Sequence, residues 1–273
     1  MAIIFHKFQG AGNDFILIDD REDLFEKDPT LRPQLIERLC NRNFGAGADG
    51  LILLKSSDRV DFEMHFFNSD GLPGSFCGNG ARCIVAFADF LGISKREISF
   101  TASDGLHRAV IQSKSASEWD ISVEIADIQT GSLHLSQGDV IHTGSPHIVL
   151  FRDTIENIDV LQEGKALRFD EKYSPAGVNV NFAQIIDNHN IKLRTYERGV
   201  EGETLACGTG ATAAALAAWM EGCRNPQNQY KIHARGGILR VHFDVEKDAD
   251  HYHFSDIWLS GPAIRVYGAE IAD

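Results

Sequence analysis

The residues best suited to chemistry in this chain are two cysteines, each followed by the same glycine turn. Cys77 and Cys207 lie 130 positions apart, and each precedes a Gly-x-Gly-Ala sequence. A cysteine beside a glycine turn can be a packing residue, but packing does not explain the same motif in both halves of one chain. The repeat therefore favours a pair of acid and base groups, which is what inversion of a stereocentre requires.

Each cysteine stands before an apolar helix. Residues 78–91 and 211–220 are apolar nearly all round, which predicts helices enclosed by the rest of the fold. A thiol at a helix N-terminus meets unpaired N–H groups and the positive end of the dipole, which lower its pKa and bind carboxylates. A thiolate on one face of a carbon acid would remove the α-proton, and a thiol on the other face would deliver one. The remaining cysteines, at 40, 83 and 223, are interpreted as packing residues.

Short strands surround both helices in the sequence pattern. In the first half, strands are predicted at 3–8, 15–19, 50–55, 60–68, 96–102, 106–112 and 119–126, with a helix at 30–42. In the second half, strands are predicted at 140–151 (interrupted at 144–147), 177–185, 191–197, 229–234, 237–244 and 251–259, with a weak helix at 154–163. The repeated order predicts an α+β fold of two pseudo-symmetric domains, each a strongly curved, antiparallel-rich sheet wrapped around a central apolar helix. The domains are assigned to 1–127 and 128–260.

Composition narrows the function classes. The chain has 273 residues, 43% hydrophobic and 24% charged, as in ordinary globular proteins, and its formal charge of −13 argues against nucleic acid as a partner. No stretch is long and apolar enough for a membrane span, and an odd number of cysteines without a secretory leader favours a reducing compartment. Neither a metal-ligand spacing, a pyridoxal-phosphate lysine nor a dinucleotide fingerprint stands out, so a reaction without cofactor or metal is expected.

Six stretches of the chain, in this order, resemble the diaminopimelate epimerase family. The matching stretches are 10–15 (GAGNDF), 45–50 (GAGADG), 67–71 (FNSDG), 77–82 (CGNGAR), 177–180 (GVNV) and 196–199 (YERG), the last continuing to 207–210 (CGTG). The resemblance implies interconversion of LL- and meso-diaminopimelate, a diamino dicarboxylate, for lysine and peptidoglycan precursors. It also implies a cytoplasmic homodimer, no cofactor, a site between the two domains, and a final segment, 261–273, that returns to the N-terminal domain.

The resemblance also implies roles for individual residues. Cys77 and Cys207 would be the two acid/base groups, while Arg198 would bind the far carboxylate, as its planar guanidinium suits. The other implied positions are Gly78, Asn79, Gly208 and Thr209 for the reacting carboxylate, Asn13, Asn68 and Asn179 for substrate contacts, and His147 and Glu197 for orienting the amine and tuning the thiols. Taken alone, Asn13 and Asn68 could shape turns. His147 could be a core residue, and Glu197 with Arg198 a surface pair.

Two positions depart from the family pattern, and several other functions stay open. Ser145 stands where many members have asparagine, and Gly50 stands where some carry a substrate-contacting glutamine. A related proline or hydroxyproline epimerase would not need Arg198 far from the thiols, and a phenazine-type isomerase would lack the cysteine pair. A redox thiol protein or an amino-acid-binding module would use the same cysteines for a different purpose.

Overall fold

The computed structural model describes residues 3–23, 25, 32–93, 95–130, 135, 138–248 and 251–271. These residues contain sixteen strands and four α-helices, which confirms the predicted α+β class. The chain divides into two compact units, one made of Met1–Val123 with Gly261–Asp273 and the other of Glu124–Ser260. No helix in the described ranges is long and apolar enough to cross a membrane.

The first unit is a sheet that wraps around one helix. Its strands are β1 (Ile3–Gly10), β2 (Asn13–Asp19), β3 (Gly50–Lys55), β4 (Phe62–Asn68), β5 (Glu97–Ala102), β6 (Gly105–Lys114) and β7 (Glu118–Ile125), and its helices are α1 (Arg32–Cys40) and α2 (Gly78–Phe90). Neighbours along the chain are neighbours in the sheet, with β2–β3 and β4–β5 parallel. The final strand of the chain pairs with both β1 and β7, so the sheet closes.

Both faces of β2 and β3 are buried, which explains why these strands are continuous apolar runs. Phe15 and Leu17 of β2 pack inward against α2, whereas Ile16 and Ile18 pack outward against α1. Successive side chains of a strand point to opposite faces, so one strand serves both cores. Helix α2 lies in the inner core with every residue from Gly78 to Asp89 buried, as its apolar sequence predicted.

The second unit repeats this plan. Its strands are β8 (Ile128–Thr130), β9 (Ile141–His142), β10 (Pro146–Phe151), β11 (Asn179–Ile185), β12 (Asn190–Glu197), β13 (Gly202–Thr204), β14 (Gln229–Ala234), β15 (Gly237–Asp248) and the start of β16 (His251–Ile271), and its helices are α3 (Val160–Arg168) and α4 (Gly208–Met220). The order is β9-β10-β11-β12-β14-β15-β16, with β10–β11 and β12–β14 parallel. Strands β8 and β13 pair at the side, with β16 and β12.

In both units the helices connect the strands in the same order. Helix α1 joins the parallel pair β2–β3 as α3 joins β10–β11, and α2 joins β4–β5 as α4 joins β12–β14. The predicted pseudo-symmetry is therefore confirmed, and it places Cys77 and Cys207 at the same point of each unit. Strand β13 departs from this symmetry. At the equivalent place the described part of the first unit has an isolated bridge between Phe67 and Pro73 instead of a strand.

Several element boundaries differ from the sequence prediction. The weak helix predicted at 154–163 is wrong in position, because α3 begins at Val160, where the Asp159 carboxylate accepts a hydrogen bond from the Gln162 N–H at 3.0 Å. The strands β8 and β13 were not predicted, and β16 continues through residue 260 without a break. Residues 30 and 31 of the first predicted helix lie outside the described residues.

Candidate active site

Both cysteines are the N-cap residues of the buried helices. Cys77 has φ −122° and ψ 112°, Cys207 has φ −115° and ψ 116°, and both backbones are extended. Each sulfur accepts a hydrogen bond from the backbone N–H three residues later in the chain. For Cys77 the donor is Gly80, at 3.5 Å, and for Cys207 it is Gly210, at 3.4 Å. The predicted placement at the helix N-terminus is confirmed, and each sulfur lies where a negative charge is stabilised.

The glycine at the third helical position has a steric reason in the second unit. A Cβ at Gly210 would stand 2.5 Å from the Asn181 Oδ1 and 3.3 Å from the Cys207 sulfur. At Gly80 the nearest atom would be the terminal Cδ1 methyl of Ile52, at 3.0 Å. The turn therefore brings a polar side chain close to the backbone beside Cys207, which only glycine permits.

Asn13, at the start of β2, lies beside the first cysteine. Its Oδ1 is 3.7 Å from the Cys77 sulfur and accepts a hydrogen bond from the Asn79 Nδ2 at 3.2 Å. Its Nδ2 donates to the Asp49 carboxylate at 2.7 Å. Two residues that the resemblance implicates, Asn13 and Asn79, are thus brought to Cys77, and Asp49 holds the first of them.

Asp49 belongs to a cluster of charged side chains near the start of β2. The Arg42 guanidinium bridges Asp49 and Asp14 at 2.8 Å each, and Lys7 is 2.7 Å from Asp14 and also donates to the Gly47 carbonyl. Burial raises the pKa of Asp14, but the hydrogen bonds from Arg42 and Lys7 outweigh burial and lower this pKa to about 2. The cluster keeps the Asp14 carboxylate ionised and fixes the loop that supplies Asp49.

Arg82 is a fully buried cation one turn into α2. Its guanidinium donates to the Asn79 Oδ1 at 2.7 Å, to the Gly78 carbonyl at 3.2 Å and to the Pro262 carbonyl at 3.4 Å. A buried charge must be hydrogen-bonded, and these contacts meet that requirement. The corresponding residue of α4, Thr212, donates its hydroxyl to the Gly208 carbonyl at 3.2 Å, so both helices secure the same carbonyl by different groups.

A chain of hydroxyl and imidazole groups leads to the second cysteine. The Thr209 Oγ1 is 3.5 Å from the Cys207 sulfur and 2.9 Å from the His147 Nε2. The Ser145 Oγ is 2.9 Å from the same Nε2 and 3.3 Å from the Thr209 Oγ1. Ser145, a departure from the family pattern, therefore contacts the residues next to Cys207.

His147 lies on β10 and is completely buried. Asn181 of β11 donates its Nδ2 to the His147 Nδ1 at 3.0 Å and to the Ile148 carbonyl at 2.9 Å, and accepts from the Thr195 hydroxyl at 2.9 Å. Burial is the main cause that lowers the pKa of His147 to about 3, with His142 and Arg198 adding to it. The imidazole is accordingly neutral at physiological pH.

Asn179, Glu197 and Arg198 lie together where β11 begins and β12 ends. The Asn179 Oδ1 accepts from the Arg198 backbone N–H at 2.9 Å, and its Nδ2 donates to Ser145 at 3.2 Å and Pro146 at 3.0 Å. Arg198 is half-buried, and its Nη1 donates to the Ala176 carbonyl at 3.4 Å. The Asn179 side chain thus positions the backbone around Arg198 and Ser145.

Asn68 is the last residue of β4, exposed, and paired across the sheet with Gly50. A Cβ at Gly50 would lie 2.6 Å from the Phe67 carbonyl and from the Phe66 ring. A side chain therefore does not fit at position 50 in this backbone, in agreement with the departure noted in the sequence. The Asn68 carbonyl accepts from the Gly71 N–H at 2.9 Å, which makes the turn that follows.

Four residues near the cysteines had no assigned role at the sequence level: Asp49, Arg82, Asn181 and Thr195. Asp49, Arg82 and Asn181 fall in or beside the matched motifs, and an arginine inside an apolar helix was the clearest available signal. The other three cysteines are also free thiols. Burial raises the pKa of Cys40 to about 12 and raises the pKa of Cys83 and Cys223, which suits packing residues. Among the described residues no cluster of three histidine, cysteine or carboxylate side chains has metal-binding geometry.

Comparison with known proteins identifies the family. The family model described as diaminopimelate epimerase matches residues 5–127 and 140–256. A curated diaminopimelate epimerase from Flavobacterium psychrophilum is 44% identical over 266 residues, covering 97% of this chain and 99% of that protein.

Two solved structures share the fold. A phenazine biosynthesis protein of the PhzF family from Bacillus anthracis has a TM-score of 0.72 at 15% identity, covering 100% of both chains. A hydroxyproline epimerase from Agrobacterium vitis has a TM-score of 0.71 at 14% identity, covering 99% of this chain and 92% of that one. Because the family model and the curated relative both span nearly the whole chain, the protein belongs to the diaminopimelate epimerase family.

Proposed function

We propose that the protein interconverts LL- and meso-2,6-diaminopimelate by proton transfer at one α-carbon, without a cofactor. The observation that carries this proposal is the pair of cysteines that cap buried helices in equivalent positions of two similar units. Membership of the family supplies the substrate. The position of each sulfur, with a backbone N–H directed at it, supports its use as a thiolate.

The reaction needs one thiolate and one thiol. The thiolate takes the α-proton, so that the C–H bond breaks, an S–H bond forms, and the electron pair stays on carbon. The other thiol then gives its proton to the opposite face of that carbon, which forms a new C–H bond and leaves a thiolate. A positioned acid or base typically contributes about 10² to 10⁴-fold, so stabilisation of the carbanion must supply the remainder.

The other implied residues are proposed to bind the substrate. The N–H groups of Gly78, Asn79, Gly208 and Thr209 belong to the first turn of each helix, where the positive end of the dipole favours a carboxylate. Arg198 would bind the distal carboxylate, and Asn13, Asn68, Asn179 and Glu197 would contact or orient the substrate. His147 is proposed to act through Thr209, since its Nε2 lies 2.9 Å from that hydroxyl.

The cellular setting and the assembly are also proposals. Free thiols that must be reduced for the reaction suit the cytoplasm, where disulfides are rare. We expect a homodimer with a small-molecule substrate, because the family resemblance implies it.

Single alanine variants of the two cysteines test the function. With LL-diaminopimelate as substrate, chiral chromatography should detect the meso form with the parent protein. Cys77→Ala and Cys207→Ala should each lower turnover by about 10² to 10⁴-fold or more. Cys223→Ala removes a free thiol that has no proposed role and should leave turnover intact. Substantial turnover by either of the first two variants would contradict the two-base mechanism, and turnover of trans-4-hydroxy-L-proline or proline instead would reassign the substrate.

A further inference from the structure

The hydrogen bonds around Cys77 have a definite direction. The Asp49 carboxylate only accepts, so the Nδ2 of Asn13 must face it and the Oδ1 must face the sulfur. The Arg82 guanidinium only donates, so the Oδ1 of Asn79 faces Arg82 and its Nδ2 faces Asn13. An amide oxygen thus lies beside the Cys77 sulfur, at 3.7 Å. It can accept a hydrogen bond from a thiol, and it repels a thiolate.

The hydrogen bonds around Cys207 run in the opposite direction. The Ile148 carbonyl only accepts, which fixes the Nδ2 of Asn181 toward Ile148 and toward the His147 Nδ1. The neutral imidazole therefore accepts at Nδ1 and carries its proton at Nε2. This Nε2–H can donate to Thr209 or to Ser145, and either route leaves a proton for the sulfur.

The hydrogen bonds that pass through Ser145 also lead to the Thr209 hydroxyl. The Ser145 Oγ accepts from the Asn179 Nδ2 at 3.2 Å, and its hydroxyl can donate to the Thr209 Oγ1 at 3.3 Å. The Thr209 oxygen can thereby accept from His147 or Ser145, and its own hydroxyl can then donate to the Cys207 sulfur at 3.5 Å. A hydroxyl that donates to sulfur stabilises the thiolate.

We infer that the resting enzyme holds Cys207 as the thiolate and Cys77 as the thiol, and that Asp49 and Asn181 are the positioning residues that set this difference. The inference rests on the proposed function, because it assigns the base and the acid of that reaction. The first stereoisomer turned over by the resting enzyme is then the one whose α-hydrogen meets Cys207. Its C–H bond breaks as the Cys207 S–H forms, and the Cys77 S–H breaks as the new C–H forms.

The charged groups around each sulfur are compatible with this assignment. Toward Cys77 five charged residues come from four segments: Lys7 from β1, Asp14 from β2, Arg42 and Asp49 from the loop between α1 and β3, and Arg82 from α2. The two carboxylates are paired with Lys7 and Arg42, and Arg82 is engaged by Asn79 and two carbonyls. Toward Cys207, His142 and Arg198 are near enough to lower the pKa of His147. The positive charge of Arg198 favours a negative sulfur, and Glu197 adjoins Arg198 and opposes it.

The test is the pH dependence of alkylation at each cysteine. The parent protein is treated with iodoacetamide over a pH series, and mass spectrometry of the digested peptides gives a separate rate for each residue. Because only the thiolate reacts, the midpoint of each rate profile reports that thiol's ionisation whatever its accessibility. The same series with Cys77→Ala and Cys207→Ala removes the mutual influence of the two thiols.

We expect the Cys207 midpoint to lie below the Cys77 midpoint by about one pH unit or more. Thr209→Val should raise the Cys207 midpoint, whereas Thr209→Ser, which keeps a hydroxyl, should leave that midpoint at the parent value. Asp49→Asn should lower the Cys77 midpoint by releasing the Asn13 amide. Thr212→Val is the matched control, since it also removes a hydroxyl from α4. The Thr212 hydroxyl donates to the Gly208 carbonyl and is not directed at the sulfur. That variant should leave both midpoints unchanged.

Equal or reversed midpoints, or a Cys207 midpoint that ignores Thr209→Val, would overturn the inference. Alkylation needs no turnover, so the two proposals fail separately. A protein with ordered midpoints and no activity on diaminopimelate would refute the function alone, and an active protein with equal midpoints would refute the assignment alone.

Discussion

The buried neutral histidine makes the second unit sensitive to acid, and the size of this effect follows from its pKa. His147 is fully buried and its pKa is lowered from 6.5 to about 3, chiefly by burial. The unfolded chain therefore binds this proton first as the pH falls. The stabilising contribution is complete above about pH 6.5 and is lost progressively as the pH falls toward about 3.

The magnitude is large enough to measure. One pKa unit corresponds to about 1.4 kcal/mol, so His147 alone should remove about 2.5 kcal/mol from the free energy of unfolding between pH 7 and about pH 4.5. His147→Gln keeps a polar side chain but removes the titration. The variant starts less stable at pH 7, because the hydrogen bonds with Asn181 and Thr209 are disturbed, and it should then lose less stability on acidification than the parent does.

Urea denaturation at the two pH values measures this difference. The carboxylates and the other histidines are shared by both proteins, so their contributions cancel in the comparison. His189→Gln, in an exposed turn, controls for removing a histidine elsewhere in the same unit and should follow the parent. If His147→Gln loses as much stability as the parent on acidification, the neutral state of His147 is wrong. The imidazole ¹⁵N shifts of the parent would then have to show a protonated ring near neutral pH.

Two further predictions concern the glycine turn and the charge cluster. Gly210→Ala should lose about ten-fold more epimerase activity than Gly80→Ala. The Cβ added at Gly210 meets, at 2.5 Å, an Asn181 oxygen held by Thr195, whereas the Cβ added at Gly80 meets the terminal methyl of Ile52 at 3.0 Å; equal losses would contradict this. Asp14→Asn should lower the free energy of unfolding by about 2 kcal/mol at pH 7, since the pKa of Asp14 is about 2 instead of 3.8. That contribution is present above about pH 3.8 and is lost as the pH falls, so the gap in urea midpoints should narrow to roughly half by about pH 3 and should not stay constant.

The features that could be predicted from the sequence are the ones that depend on local patterns. Cys77 and Cys207 were placed at helix N-termini because the glycine turn and the apolar run follow them directly. The burial of α2 and α4 followed from the lack of a polar face. The start of α3 was missed, because the periodicity extends upstream of Asp159 while the helix begins only where that carboxylate can cap it.

The features that could not be predicted depend on the register between strands. Asn181 reaches His147 only because β10 and β11 run parallel with His147 opposite Asn179, and it meets Thr195 because those two residues pair in the antiparallel ladder. Asp49 precedes β3 and reaches Asn13 because β2 and β3 are parallel neighbours. No sequence spacing records these pairings, so roles for Asp49 and Asn181 could not be assigned from spacing.

Besides Asp49 and Asn181, one position of the duplicated motif itself differs between the two cysteines. The helix dipole and the N–H at the third helical position are the same for both sulfurs, so neither can make one a stronger acid. The second residue after the cysteine differs. Asn79 is long enough to turn away from the sulfur and bind Asn13 and Arg82, while the short Thr209 keeps its hydroxyl beside the sulfur. An exchange at this position changes the direction of the neighbouring hydrogen bonds without altering the helix, and a duplicated site can thus hold one acid and one base.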